Sequence, residues 1–454
     1  MIARREETPS TLGSGELVAT TLRRIAEKAR KEPGFKFTSL YHLLNEELLR
    51  ECFQRLRKDA AAGIDDLTKE EYAENLDANL SDLIGRLHRM AYRPQPVRRT
   101  YIPKPGSAKQ RPLGIPCFED KLVQAGLVRI LEAVYEQDFI GDSYGFRPGR
   151  SCHTALRALS DSVEGNPVNH IVEADIKGFF DSVNQEWLLK FLEHRIGDQR
   201  LLRMVKRFLK AGVYEDGSIT ISDEGTPQGG VISPLLANIY LHYALDLWFE
   251  KVIRNHCTGY ARLIRYADDF VVCLQYEQDA VKFRDDLGQR LGKFGLEVEP
   301  TKTRVVKFGR FVVQNAKAKG NRPETFDFLG FTHYCGTRRD GTGFRMKRVT
   351  ARKKFTAKVR VFKEWLKKAR TMKTAELWAG AKAKLRGHFA YYGVTDNLPG
   401  IKRFAAEVEK LLFKWLNRRG KRGCLTWHKF CAMLKRFPLP QPRITVRMFP
   451  VSVN

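Results

Sequence analysis

The spacing of apolar residues predicts alternating strands and helices over most of the chain. Apolar runs at 171–174 and 263–274 have the length and composition of buried strands. Helical periodicity separates these runs at 186–194 and 235–249. Strands and helices that alternate in this way predict one α+β unit, which we expect to end near Phe331.

A hairpin is predicted before those strands. Between Tyr92 and Pro116 the sequence combines prolines and basic residues with a β-type run at 97–102. This pattern predicts two short strands joined by a tip at 103–110. A helix is expected next, at 121–137, where apolar residues return to helical spacing.

Beyond Phe331 the pattern is helical, and we expect no further strands. Residues 1–37 are polar and contain a basic helical segment, so we interpret them as an N-terminal extension with a flexible start. The predicted organisation is this extension, a unit at 38–335 and an all-helical region at 345–443. Two apolar sets in the last region each share a helix face: Val359, Phe362, Leu366 and Ala369, and Phe404, Val408, Leu411 and Trp415.

The chain is strongly basic, and the excess is concentrated near its end. It contains 80 Lys and Arg against 52 Asp and Glu, a net charge of +28. Residues 336–424 hold 26 Lys and Arg against 6 Asp and Glu, a net charge of +20. Such a charge attracts polyanions, which favours a nucleic-acid surface over an ordinary solvated face.

Cysteine usage and hydropathy exclude several other classes of protein. The eight cysteines are scattered and include no Cys-x2-Cys pair, which argues against a structural zinc site and fits buried free thiols in a reducing compartment. No stretch approaches the roughly 20 apolar residues that a membrane span requires. The first residues lack the apolar centre of a signal peptide. We therefore expect an intracellular protein without a membrane partner.

Acidic residues stand at the ends of two predicted strands. Asp268 and Asp269 separate two apolar runs, which predicts a hairpin tip, although an Asp-Asp turn is ordinarily a solvated surface feature. Asp175 ends another apolar strand and precedes a small turn and two aromatics. Three carboxylates at the ends of paired strands repel one another unless divalent cations lie between them. The sequence therefore predicts a site for two Mg²⁺ ions, for which Mn²⁺ can substitute, suited to phosphoryl transfer.

Six motifs follow one another along the chain: 101–105 with 111–116, 144–151, the block around Asp175, 225–235, 266–269 and 328–331. In this order they resemble the motifs of group II intron-encoded reverse transcriptases, and the likeness covers residues 37–443. The resemblance implies a right-hand polymerase, with fingers and palm built from an antiparallel sheet plus helices, and an all-helical thumb and maturase region.

The resemblance implies roles for individual residues. In the family, the residues matching Asp175, Asp268 and Asp269 hold the two catalytic metals. Others contact the incoming nucleotide, protonate the pyrophosphate or grip the primer. By motif position these are Lys104, Arg111, Phe180 and Gln228 for the nucleotide, Lys302 for the proton, and Phe328, Leu329 and Gly330 for the primer.

From the residues alone, plainer interpretations of these positions stay open. Arg111 and Lys104 would otherwise be solvated loop charges, and Lys302 a surface lysine. A bulky ring at Phe180 would exclude a 2′-hydroxyl by steric clash, but a core role is possible and Phe179 is its neighbour. The residues at 328–331 could likewise be plain core.

The C-terminal region resembles the maturase motifs of the same family at 385–393 and 415–419. Interleaved aromatics and cations suit stacking on bases and pairing with phosphates, although a lone histidine among aromatics on a helix is more often structural. No paired cysteines follow Leu425, so we expect no zinc-associated endonuclease of the His-Asn-His type. The candidate RNA contacts are Arg386, His388, Tyr391 and Tyr392.

The resemblance implies an RNA-directed DNA polymerase that also assists the splicing and retrohoming of group II intron RNA. Its expected partners are that RNA, an RNA template with a DNA primer, dNTPs and a DNA target, in the bacterial cytoplasm and at the nucleoid when on DNA. Two alternatives remain: a non-catalytic maturase, or an intron-derived enzyme taken over by the host for DNA repair or phage defence. The intact Asp175, Asp268 and Asp269 argue against the first alternative.

Overall fold

The computed structural model describes residues 14–103, 110–221, 224–226, 228–313, 323–338, 340–341, 343–419 and 425–449. Within these ranges strands and helices interleave in the first two thirds of the chain and helices dominate the last third. The predicted α+β class is therefore confirmed. The expected flexible start, at residues 1–13, lies outside the described residues.

The described residues include sixteen α-helices. The helix at Ser233–Leu241 is followed by two π-helical segments, His242–Asp246 and Phe249–Ile253. The helices are α1 (Ser14–Lys31), α2 (Glu46–Arg55), α3 (Lys69–Glu74), α4 (Leu76–His88), α5 (Phe118–Tyr135), α6 (Cys152–Gly165), α7 (Phe179–Ser182), α8 (Gln185–Glu193), α9 (Gln199–Leu209), α10 (Ser233–Leu241), α11 (Arg254–His256), α12 (Glu277–Gly292), α13 (Arg352–Ala369), α14 (Thr374–Tyr392), α15 (Leu398–Leu416) and α16 (Trp427–Arg436).

The described strands form three sheets. The first has the order β2-β1-β4-β5, the central sheet β6-β7-β3-β8, and the third β11-β10-β9. The strands are β1 (Val97–Pro103), β2 (Gln110–Ile115), β3 (His170–Asp175), β4 (Val213–Glu215), β5 (Ser218–Thr220), β6 (Ala261–Tyr266), β7 (Asp269–Leu274), β8 (Arg304–Lys307), β9 (Phe326–Phe328), β10 (Phe331–Thr337) and β11 (Phe344–Thr350).

The central sheet is antiparallel and buried on both faces, which explains the near-continuous apolar runs in its strands. Val172 and Val272 face one hydrophobic cluster together with Leu287 of α12. Ile171 and Val271, one position away, face a second cluster that also contains residues of α6. Because alternate side chains point to opposite faces, two buried faces fix the register of every strand in this sheet.

The hairpin predicted around 103–110 is confirmed as β1 paired antiparallel with β2. Its tip, which includes Lys104, lies outside the described residues. The helix expected at 121–137 is α5, which begins at Phe118 and ends at Tyr135. Helix α5 is buried over much of its length and lies at the centre of the first hydrophobic cluster.

The N-terminal helix corrects the prediction of a separate extension. In α1 the side chains of Val18, Leu22 and Ala29 are buried and belong to the same cluster as α5. The helix contacts both α2 and α5. Its many basic residues occupy the opposite, exposed face, so the charge of the segment concealed an apolar stripe.

The prediction of no strands after Phe331, and of an all-helical region from residue 345, is wrong. Strand β10 pairs along its whole length with β11, which ends only at Thr350. Met346, Arg348 and Thr350 alternate as buried residues along β11. The buried arginine made this segment resemble a solvated basic run, because arginine is rarely buried fully. Beyond Thr350 the described residues are helical apart from loops and isolated bridges.

Among the residues that the structure describes, no helix is both long and apolar enough to cross a membrane.

Leu22→Ala is expected to lower the free energy of unfolding by about 2–5 kcal/mol, because it leaves a cavity between α1 and the core. Denaturant unfolding followed by circular dichroism measures the change. Arg24→Ala, on the exposed face of the same helix, should change stability by less than about 0.5 kcal/mol. Equal effects of the two substitutions would mean that α1 does not contribute to the core.

Candidate active site

The three acidic residues predicted from sequence lie together at one end of the central sheet. Asp175, the last residue of β3, is the direct cross-strand partner of Asp269, the first residue of β7. Asp268 and Ala267 form the two-residue turn between β6 and β7, with Ala267 in the left-handed region at φ 57°. Cross-strand partners have Cβ atoms about 4.5–5.5 Å apart, so the sheet holds these carboxyl groups close to one another.

A buried arginine is hydrogen-bonded to the turn that carries Asp268. The Arg265 side chain is fully buried, and its Nε and Nη2 donate to the two carboxylate oxygens of Asp246 at 2.7 and 2.5 Å. Its Nη1 donates to the Ala267 carbonyl at 2.9 Å and to Asn238 Oδ1 at 3.0 Å. The turn that carries Asp268 is therefore hydrogen-bonded to a fixed, neutralised ion pair.

The segment that contains Gly145 also contacts this turn, and the glycine makes that contact possible. A side chain at Gly145 would place its Cβ 2.3 Å from the Ala267 nitrogen, so only glycine allows this segment to contact the turn. The preceding Tyr144 nitrogen donates to the Arg265 carbonyl at 2.8 Å, and Asn238 Nδ2 donates to the Gly145 carbonyl at 2.7 Å. The motif at 144–151 was identified from the sequence, but no role was predicted for it. The order Tyr-Gly-Phe was the signal that could have indicated this contact.

The electrostatics of the site oppose ionisation of two of the carboxyls. Burial, then the charges of Asp268 and Asp175, raises the pKa of Asp269 to about 7. Burial is also the main cause that raises the pKa of Asp268, which the positive charge of Arg111 partly offsets. Lys302 forms an ion pair with Asp175, and that contact raises the pKa of the lysine. Lys302 therefore lies at the site, as its motif position implied.

This donor set fits a hard divalent cation. Carboxylate oxygens are the ligands that Mg²⁺ prefers, and a cation would relieve the repulsion that raises the pKa values of Asp268 and Asp269. Within the described ranges, no three Asp, Glu, His or Cys side chains already converge into a ligand set. Asp175 is paired with Lys302, so cation binding would require that contact to loosen.

The two neighbouring phenylalanines after Asp175 differ in exposure. Phe179 is buried in the core, at 2% exposure, whereas Phe180 is only partly buried. The Phe180 carbonyl accepts a hydrogen bond from the Thr226 nitrogen at 2.8 Å. Of the two, Phe180 is therefore the ring with surface available to a substrate, next to the loop that contains Gln228.

The loop that contains Gln228 contacts the β1–β2 hairpin. The Gln228 carbonyl accepts a hydrogen bond from the nitrogen of Gly114 in β2. A Cβ at Gly229 would lie 2.5 Å from the Gly114 carbonyl oxygen, and the φ of Gly229 is 113°, so glycine is required by close approach as well as by conformation. Arg111 is exposed on the same strand. The structure thus places this loop against both Phe180 and the strand of Arg111, and the charge of Arg111 acts on Asp268.

The turn between β9 and β10 touches both the site and the C-terminal helices. The backbone N–H of Leu329 lies near the Asp269 carboxylate and lowers the pKa of that carboxyl, against the larger effect of burial. On its other side the Leu329 carbonyl accepts from the Tyr391 hydroxyl of α14 at 2.9 Å. Phe328, by contrast, is core at 1% exposure. A primer-gripping role for Leu329 and Gly330 stays a prediction.

Two of the four predicted RNA contacts are corrected by their burial. His388 is buried and stacks on Phe404 with ring centroids 3.6 Å apart, and burial lowers its pKa to about 3. Tyr392 is buried as well. Tyr391 is partly exposed; its ring stacks on Phe331 and its hydroxyl donates to the Leu329 carbonyl. The rings of His388 and Tyr392 therefore join α14 to its neighbours, and RNA contact by Tyr391 stays a prediction.

Arg386 remains a candidate RNA contact because its side chain is exposed. Larger numbers of cations lie on the neighbouring helices. The exposed cations of α13 and α15 are Arg352, Lys353, Lys354, Lys358, Arg360, Lys367 and Lys368, and Lys402, Arg403, Lys410 and Lys414.

Comparison with known families agrees with this geometry. Residues 102–333 match the family described as reverse transcriptase (RNA-dependent DNA polymerase). The chain belongs to this family. The matched part of this reverse transcriptase contains the end of β1, all of β2, the central sheet with its three aspartates, and the turn at Leu329. These parts correspond to the fingers and palm of the right-hand fold.

Curated relatives extend the likeness to group II intron proteins, as the motifs predicted. The group II intron-encoded protein LtrA of Lactococcus lactis subsp. cremoris is 42% identical over 225 residues, 49% of this chain and 37% of LtrA. Protein YkfC of Escherichia coli strain K12 is 32% identical over 324 residues, 64% of this chain and 84% of YkfC. The nuclear intron maturase 2, mitochondrial, of Arabidopsis thaliana is 26% identical over 178 residues, 30% of this chain and 24% of that protein.

Asp269→Asn should stabilise the protein at pH 8 in EDTA by about 1–4 kcal/mol, since it removes a carboxylate whose ionisation the fold opposes. The folded carboxyl has a pKa of about 7 and the unfolded one about 3.8. The free energy of unfolding of the wild type should therefore decrease as the pH rises from about 4 through 7. Denaturant unfolding of both proteins from pH 4 to 8 measures this difference.

The matched control is Asp285→Asn, which removes an exposed carboxylate on α12. Its effect on stability should be small and should not grow with pH. A difference between wild type and Asp269→Asn that is independent of pH would contradict the raised pKa.

Proposed function

We propose that the protein is an RNA-directed DNA polymerase that copies RNA into cDNA by two-metal nucleotidyl transfer. The observation that carries the proposal is the direct pairing of Asp175 with Asp269, beside the turn that holds Asp268. These three carboxylates would hold two Mg²⁺ ions, with Mn²⁺ as a substitute. When bound, such ions lower the pKa of an attacking 3′-hydroxyl and neutralise the charge on the leaving pyrophosphate.

Side chains around the carboxylates suit the other demands of the reaction. Arg111 on the fingers hairpin offers a fixed cation for a triphosphate, and we propose from its motif position that Lys104 joins it. The Gln228 carbonyl accepts a hydrogen bond from the Gly114 nitrogen, which holds Gln228 beside the strand that carries Arg111. Lys302, which contacts Asp175, is close enough to the carboxylates to give a proton to the leaving group.

The second part of the proposal is binding of group II intron RNA to assist splicing and retrohoming. It is supported by the relatives, one of them named a group II intron-encoded protein and another an intron maturase, and by the exposed cations of α13 and α15. The chain spans about a third of the length of LtrA. A DNA target and the bacterial cytoplasm or nucleoid complete the proposed setting.

Asp268→Asn is expected to reduce dNTP incorporation by at least about 100-fold, because loss of a metal ligand should cost more than the 10- to 100-fold typical of a residue behind a ligand. Primer extension on an RNA template with Mg²⁺ measures this. Affinity for intron RNA should stay within about twofold, since the substitution removes little surface. Asp285→Asn serves as the control and should extend primers normally.

A wild-type protein that binds intron RNA but incorporates no dNTP with Mg²⁺ or Mn²⁺ would instead support a non-catalytic maturase. Near-normal incorporation by Asp268→Asn would show that the assignment of metal ligands is wrong.

Phe180→Ala should relax discrimination against ribonucleotides by about 10- to 200-fold, because it removes the ring proposed to clash with a 2′-hydroxyl. The ratio of kcat/KM for dNTP and rNTP measures the discrimination. Incorporation of dNTP should survive in this variant. Unchanged discrimination would move the role away from Phe180, and the burial of Phe179 would then favour a residue on another element.

A further inference from the structure

Phe146 has an unusual combination of conformation and exposure. It lies in the left-handed region, at φ 56°, which costs about 1 kcal/mol or more for a residue with a Cβ. At the same time 53% of its surface is exposed. Among the residues that the structure describes, it is the one large exposed apolar side chain with a positive φ. Neither feature is explained by packing in the core.

The backbone on both sides of Phe146 is fixed. Gly145 lies against the Ala267 nitrogen and is hydrogen-bonded by Asn238. Arg147 is 7% exposed; it is paired with Glu136 and donates to the carbonyls of the loop at 140 and 143, each at 2.8 Å. A rigid segment therefore presents this ring outward, and the strain in it is offset by neighbours and not by contacts of the ring.

The Phe146 ring lies next to Tyr266, at the end of β6. The centroids of Phe146 and Tyr266 are 6.5 Å apart, with the rings tilted by 43°. Tyr266 is the last residue of β6 before the turn with Ala267 and Asp268. The exposed face of Phe146 thus lies beside the turn that carries a proposed metal ligand, where a primer must end for its 3′-hydroxyl to reach the carboxylates.

We propose that Phe146 is a stacking platform for the sugar and base at the 3′ end of the primer strand. An exposed aromatic ring held rigidly can stack on any nucleotide at little entropic cost, because it is already in its bound conformation. The inference rests on the proposed polymerase function and adds to it a residue that positions the primer. The templating strand and a protein partner are the competing occupants of this surface.

Affinity of the full chain for an RNA template annealed to a DNA primer tests the proposal. Phe146→Ala and Phe146→Leu should weaken Kd by about 5- to 150-fold, the loss expected for one stacked base, while Phe146→Tyr stays within about twofold. Tyr276→Ala removes a similarly exposed ring, 44% exposed, beyond the other end of β7. That control should bind the duplex as the wild type does.

A fluorescent 2-aminopurine identifies the strand. Placed at the primer 3′ end, it should be quenched by the wild type and by Phe146→Tyr, and not by Phe146→Ala. Quenching that depends on Phe146 only when the probe is at the templating position would overturn the primer assignment. A Kd for Phe146→Leu equal to that of the wild type would overturn stacking, because leucine keeps apolar surface without an aromatic face.

A thermal measurement separates this role from a structural one. Phe146→Gly should raise Tm, since glycine adopts the positive φ without strain, and yet weaken primer–template binding. A large fall in Tm for Phe146→Gly and Phe146→Ala would show that the ring supports the fold, which overturns the proposal. Failure of the wild type itself to bind or extend the primer would refute the polymerase function instead, so the two failures are distinguishable.

Discussion

The close placement of three acidic side chains at the end of one sheet is the constraint on which the site depends. The backbone ladder between β3 and β7 places Asp175 opposite Asp269, and that ladder is itself fixed because both faces of the sheet are buried. A slip of one residue would turn every apolar side chain to the wrong face. The core therefore stabilises an arrangement of carboxylates that their mutual repulsion would otherwise separate.

The turn that carries Asp268 is held by a buried ion pair. Pairing Arg265 with Asp246 in the interior gives little net stability, because both charges lose their hydration. Its benefit is geometric: the guanidinium can donate to Ala267, Asn238 and Asp246 at once. The same turn excludes any side chain at position 145. Rigidity at the carboxylates thus comes from residues that would not contact substrate.

The site is also connected to the C-terminal helices. Leu329 contacts Asp269 through its nitrogen and Tyr391 through its carbonyl. The turn at Leu329 therefore links a proposed metal ligand to α14, which belongs to the helical region that carries many of the exposed cations. In this arrangement the buried aromatic residues of α14 join the C-terminal helices to the rest of the fold, and we propose that the exposed lysines and arginines contact RNA.

The sequence by itself determined the α+β class, the strand ends that carry Asp175 and Asp269, and the family, because apolar periodicity and motif order are properties of neighbouring residues. It misjudged β11 and the rings at His388 and Tyr392, since a basic or aromatic residue has the same identity whether it is buried or exposed. Burial depends on contacts between segments far apart in the chain. For the same reason only the tertiary structure could place Arg265 beneath the turn and leave Phe146 exposed beside it.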